Sequence, residues 1–206
     1  RFNSEAMGRP SLVRGRNEIT YYPGTIGVPD AASPPMLNKS WTITADIEVP
    51  NGKAEGMIVT HGGLEGGYGL YLRDGKPTFV YNFLSQERTT FAATKALPPG
   101  KTTLVVDFRY DGGGVGKGGS ITLSANGKTL VKGRLERTVP AQFSLGEGLD
   151  IGMDIGSPID FTYDLPFVYT GTIKEVRIRL GKTDVAPKGR SSTAKKKVVK
   201  GKPAKA

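Results

Sequence analysis

The chain has 206 residues, enough for one sizeable domain with a buried core and extended ends. Its 29 glycines and 14 prolines against 37% hydrophobic residues describe many short strands joined by tight turns, so composition already favours an all-β fold. Cysteine is absent, which excludes disulfides, thiolate zinc sites and cysteine nucleophiles, while the formal charge of +10 raises a nucleic-acid reading that only its distribution can decide.

Residues 1–40 read as an irregular arm, or interdomain segment, punctuated by Pro10, Pro23, Pro29, Pro34 and Pro35, with strand character only over 18–22. The opening Arg1 points to a fragment or a processed product, and residues 1–10 lack the apolar stretch of a signal peptide. At Trp41 the pattern changes: Trp41, Ile43, Ala45, Ile47 and Val49 alternate with Thr42, Thr44, Asp46 and Glu48, the period of a half-buried strand. Further strands are expected over 56–61, 68–73, 78–83, 102–110, 121–125, 129–134 and 172–180. In the longest, Thr102, Leu104, Val106, Phe108 and Tyr110 share a face, so one side meets a core. Asp74-Gly75 and Asn126-Gly127 each separate two such strands and suit two-residue type I′ hairpin turns, which need positive φ at both positions. Residues 41–180 are therefore expected to form an antiparallel β-sandwich or jelly roll.

From residue 181 to 206 the chain carries nine Lys/Arg against the single acid Asp184, a charge of +8, leaving 20 basic and 18 acidic residues, +2, in the body. With almost no large apolar side chain, this segment reads as a disordered basic tail. As a polybasic arm for nucleic acid or anionic lipid it lacks aromatic residues between its lysines, so neither partner is expected. No stretch approaches the roughly 20 apolar residues of a membrane span.

The glycine-rich run 111–119 contains Gly116-Lys117 but fails the phosphate-loop pattern, with Asp111 where glycine is required and Gly118 where Ser or Thr is required. Gly114, Gly116 and Gly119 fit GxGxxG, yet a strand follows in place of the helix that would bind pyrophosphate, so a hairpin loop is expected. His61 is the sole histidine, before Gly62-Gly63, and no serine elbow or metal-binding histidine pair can be assembled around it. It reads as structural or as part of an interface. Asp150, Asp154, Asp160 and Asp164 recur in a Gly/Pro-rich stretch that matches no EF-hand spacing, so Asx-turns are favoured over calcium, which stays open. Tyr71, Tyr81, Phe83 and Phe91 lie near Asn82, Gln86, Glu87 and Arg88, the aromatic and directional polar mixture of sugar- or anion-binding surfaces, of an interdomain contact, or of ordinary packing. His61, Asn82, Glu87 and Arg88 are the candidate binding residues of a cleft or interface edge, with no catalytic or metal-ligating residue among them.

Read in order, the phrases ITYYPGTIGVPD, NKSWTITADIEVP, GGLEGGYGLYLRDGKPTFVYNFLSQERTTF, YDGGGVGKGGSITLSANGK, ERTVPAQFSLGEGLDIGMDIGSPI and PFVYTGTIKEVRIRL resemble the C-terminal region of the long bacterial arylsulfatases. The resemblance implies a concanavalin-A-like or laminin-G-like sandwich, periplasmic or cytoplasmic, packed beside a sulfatase catalytic domain that carries calcium and a formylglycine nucleophile. The family signature of Cys or Ser, x, Pro, x, Arg is missing, since Ser33-Pro34-Pro35-Met36-Leu37 ends in leucine. By resemblance, then, the chain is a non-catalytic accessory domain bordering a sulfatase active site, with a sulfated substrate at the boundary. The alternative is a free-standing lectin-like carbohydrate-binding module. An exposed apolar patch would mark the first, and autonomous glycan binding the second.

Overall fold

The computed structural model describes residues 12–183, Arg14 excepted. Two antiparallel sheets pack face to face, and no helix occurs among the described residues. In chain order the strands are β1 (Glu18–Tyr21), β2 (Lys39–Val49), β3 (Gly56–Gly63), β4 (Gly66–Arg73), β5 (Lys76–Phe83) and β6 (Glu87–Ala92). They continue with β7 (Gly100–Tyr110), β8 (Lys117–Ala125), β9 (Lys128–Arg137), β10 (Leu149–Ile151) and β11 (Thr172–Thr183). One sheet has the order β1-β11-β2-β7-β8-β9, the other β10-β3-β4-β5-β6. The all-β antiparallel sandwich expected from the sequence is the fold.

The alternation on β2 sends Trp41, Ile43, Ala45, Ile47 and Val49 inward, where they meet Tyr68, Leu70, Leu72, Phe79 and Tyr81 of the opposing sheet. Each of the large aliphatic and Phe side chains among them contributes about 1.5–3 kcal/mol on removal from water, and Ala45 less. Trp41 sits at the centre, its ring 5.1 Å from that of Phe108, 5.9 Å from Phe79 and 6.1 Å from Tyr68. Both expected hairpin dipeptides adopt left-handed backbone, with φ of 48° and 73° at Asp74 and Gly75, and 49° and 79° at Asn126 and Gly127. The glycine-rich run joins β7 to β8 as a hairpin loop.

The structure extends the sequence reading at four places. β1 pairs with β11, so Glu18–Tyr21 of the N-terminal arm add an edge strand to this sandwich. β6 and the three-residue β10 were not foreseen, because Glu87, Arg88 and Thr89 give β6 no apolar alternation and β10 is too short to show a period. β8 begins at Lys117, four residues ahead of the expected start, where Gly118 and Gly119 hide the strand signal. Gly119 is required there, since a side chain on it would collide with the Phe108 ring. Finally β11 runs to Thr183, three residues into the segment expected to be a tail. The rest of that segment, and residues 1–11, lie outside the described residues.

Candidate ligand-binding face

The outer face of the five-stranded sheet is not bare. Residues 152–168 cross it and cover Met57, Tyr71 and Val80 with Ile159, Tyr163 and Phe167, a second and smaller apolar cluster. The Tyr163 and Phe167 rings stack at 4.2 Å, and both meet Tyr71 edge-on, at 5.5 and 5.8 Å. Gly69 of β4 allows this close approach, because a Cβ there would stand 2.9 Å from Ile159. Between Gly69 and Ile159 there is no room for even a methyl group.

Polar bonds fix the same segment. Asp160 accepts the Tyr71 hydroxyl at 2.8 Å, the Thr162 hydroxyl at 3.1 Å and its neighbour's Phe161 N–H at 2.8 Å. The Tyr163 hydroxyl donates to Asp154 at 2.5 Å, and Ile159 N–H donates to the same carboxylate at 3.4 Å. Gly27 N–H donates to Asp150 at 2.5 Å. Asp154 and Asp160 thus accept donors from within the covering segment, through contacts longer or shorter in sequence than an Asx-turn, while Asp150 of β10 ties in Gly27 of the N-terminal arm. Burial pushes the Asp154 carboxyl above the usual carboxylate range, with Glu147 and Asp150 adding to the rise against its two bonds. Burial likewise drives the Tyr71 and Tyr163 hydroxyls far up, so both stay protonated donors. Among the described residues no three His, Asp or Glu side chains converge as metal ligands would.

Of the residues singled out in the sequence, Asn82 and Arg88 come together at one end of this sheet as a structural staple, whereas Glu87 and His61 take no part in it. Asn82 and Arg88 face each other across β5 and β6. The Asn82 amide donates to Gly63 O at 2.8 Å and Leu64 O at 3.0 Å, and its carbonyl accepts Ser85 N–H at 3.0 Å. Fully buried at 0% exposure, Asn82 ties the β3–β4 turn to the β5–β6 turn. Arg88 donates to Ile159 O at 3.1 Å and Leu64 O at 3.4 Å, and lies 4.2 Å over the Phe161 ring. Glu87 is exposed and ion-paired with Arg137 at 3.4 Å. His61, 2% exposed, is inside the sandwich, 2.8 Å from Asp30 and edge-on to Tyr68 and Phe143. It anchors the N-terminal arm, and it shares no surface with Arg88.

What opens to solvent on this face is a cleft of about 480 Å³ beside the covering loop, lined among others by Phe161, Asp164, Arg73, Glu55 and Thr170. Phe161 is 68% exposed even though the Arg88 guanidinium stacks on it. Sequence reasoning missed this site. Phe161, Thr162 and Asp164 sit in the stretch read only as aspartate turns, and Glu55 and Arg73 stand at the outer ends of the β3–β4 hairpin, about a hundred residues ahead of them in the chain. Two aromatics amid turn residues, Phe161 and Tyr163 in FTYD after IGSPID, were the one available signal.

No protein-family model matches the chain, and no curated protein matches it in sequence. Solved structures do match in shape. The sandwich is similar to the CBM40 of the Ruminococcus gnavus IT-sialidase, solved bound to α2,3 sialyllactose, at 13% identity and TM-score 0.52, covering 80% of this chain and 89% of that one. It is similar to the NanB sialidase of Streptococcus pneumoniae at 11% identity and TM-score 0.53, covering 78% of this chain and 26% of the longer sialidase. Mouse laminin α1 chain domains LG4-5 match at 16% identity and TM-score 0.52, over 81% of this chain and 43% of that one. Identities this low show the fold alone, a jelly-roll sandwich of the kind these lectin-like modules share.

Proposed function

We propose that this chain is a lectin-like carbohydrate-binding module whose ligand lies in the cleft beside Phe161. The observation that carries the reading is the exposed Phe161 ring standing over a cleft with charged and hydroxyl groups at its rim. A sugar's C–H face suits such a ring, while its hydroxyls need the directional acceptors and donors alongside. The R. gnavus module, bound to sialyllactose, supports this at the level of fold. A glycan array probed with the purified chain should give saturable binding. Phe161→Ala should weaken it on the order of tenfold without changing thermal unfolding, because the ring is mostly solvated. An array without a single saturable hit sinks the proposal.

A second reading, an accessory domain of an arylsulfatase, keeps one structural observation in its favour. Leu145 is 85% exposed, and Leu64, Leu84 and Ile155 are also exposed. The three leucines gather near the β3–β4 turn: Leu64 lies in it, Leu145 N–H donates to Glu65, and Leu84 comes within 3.5 Å of where a Cβ on Gly66 would lie. An apolar end of this kind suits docking against a catalytic domain. Under this reading calcium and formylglycine belong to that partner, and this chain supplies neither. The NanB match covers 26% of a sialidase chain, so a sandwich of this fold occurring within a larger enzyme chain is compatible with this reading. Coding sequence upstream of Arg1 without the sulfatase signature would remove this second reading.

A further inference from the structure

The cleft beside Phe161 continues into another. A second depression of about 500 Å³ is lined among others by Glu48, Asn51, Pro99, Gly100 and Thr170, and Thr170 belongs to both. Their common rim is fixed: Glu55 N–H donates to the Thr170 hydroxyl at 3.0 Å, and Thr170 N–H donates back to Glu55 O at 2.8 Å. Each volume falls within the range of small-molecule sites, roughly 300–1,000 Å³, so together they accommodate more than one sugar ring.

The charges along this trough are lopsided. Glu48, Glu55 and Asp164 face it against the single cation Arg73. Among the described residues none of these four side chains is held in an ion pair, unlike Asp46 and Asp107 on the outer face of the six-stranded sheet, which are paired to Arg177 and Arg109. Arg88, the next cation, is committed to Ile159 O, Leu64 O and the Phe161 ring. Free carboxylates are strong acceptors for sugar hydroxyls and for ammonium groups, and they repel a carboxylated or sulfated sugar.

Resting on the glycan-binding reading above, we propose that the ligand is a neutral or amino-bearing oligosaccharide that runs from Phe161 past Thr170 into the second depression, and that acidic sugars are disfavoured. The test is titration calorimetry of the whole chain at low salt with chitin disaccharide, chitin hexasaccharide, the deacetylated hexasaccharide, lactose and α2,3-sialyllactose. The hexasaccharide should bind on the order of tenfold tighter than the disaccharide. Its deacetylated form should bind on the order of fivefold tighter again, and sialyllactose on the order of fivefold more weakly than lactose, differences that salt should shrink. The double variant Glu55→Gln with Asp164→Asn should abolish both charge preferences and retain the neutral sugar. Sialyllactose binding tighter than lactose, or preferences unchanged in the double variant, would overturn the charge assignment while leaving the glycan reading intact. Equal affinity for disaccharide and hexasaccharide overturns the extended trough. Binding of none of the five overturns this proposal, and the glycan array decides separately whether the reading it rests on falls with it.

Discussion

The two faces of the five-stranded sheet are buried by different physics. Inward, Tyr68, Leu70, Phe79 and Tyr81 meet a second sheet through a broad apolar contact in which area matters more than direction. Outward, the same strands meet a loop through six apolar side chains and a set of carboxylate–tyrosine bonds with defined geometry. Non-directional burial tolerates sequence drift, whereas the loop depends on particular donors and acceptors. The sandwich therefore supplies a scaffold, and the loop supplies the shape of the cleft.

The largest expected effect is on the inner face. Trp41, at 4% exposure, packs on three aromatic rings, and Trp41→Ala should cost about 3–5 kcal/mol in chemical denaturation. A loss below about 1 kcal/mol would mean the two sheets are not joined through this residue. A smaller effect is expected from the staple on the outer face. Asn82→Ala leaves the O of buried Gly63 without this partner, at a cost of about 1–3 kcal/mol, and frees the N–H of exposed Ser85 to water. It also releases Leu84 and Ser85, which sit at φ of 51° and 60°, a left-handed conformation that non-glycine residues seldom adopt. A variant as stable as the parent would show that the turn does not need Asn82.

This contrast also explains what could be read in advance. Alternation on residues 41–49 and 102–110, with Asp74-Gly75 and Asn126-Gly127, made the sandwich legible, because a half-buried strand and a type I′ turn leave periodic or dipeptide marks. β3 to β5 are buried on both faces, and the second burial could not be inferred, since the covering loop has no period of its own. Asn82 and Arg88 were legible only as polar side chains near aromatic strand residues. Their hydrogen bonds run inward to Gly63 O, Leu64 O and Ile159 O, a fact that depends on which turns meet in space. The cleft fared worst. Its rim gathers Glu55, Arg73, Phe161 and Thr170 from segments up to 115 residues apart, as the Glu55 to Thr170 bond measures.

The finest distinction between the two faces is a dependence on pH. Asp154 is buried beneath the loop, and desolvation raises its carboxyl above the range it has in the unfolded chain, the bonds from Tyr163 and Ile159 notwithstanding. A carboxyl raised in the folded state binds a proton that the unfolded chain has already released. Its contribution to stability is therefore complete below the unfolded value and is lost as pH climbs through the folded one. Asp154→Asn keeps the shape and one acceptor for the Tyr163 hydroxyl but cannot titrate. From roughly pH 3 to pH 7, wild type should thus lose stability relative to Asp154→Asn, measured by denaturant unfolding of both at each pH. Asp111, lowered by its bonded Arg134, is exposed at the start of the β7–β8 loop and is identical in both proteins, so its opposite trend cancels in the difference. A difference that runs the other way would show that the Tyr163 and Ile159 bonds outweigh burial, and that the loop is held by an ionised carboxylate.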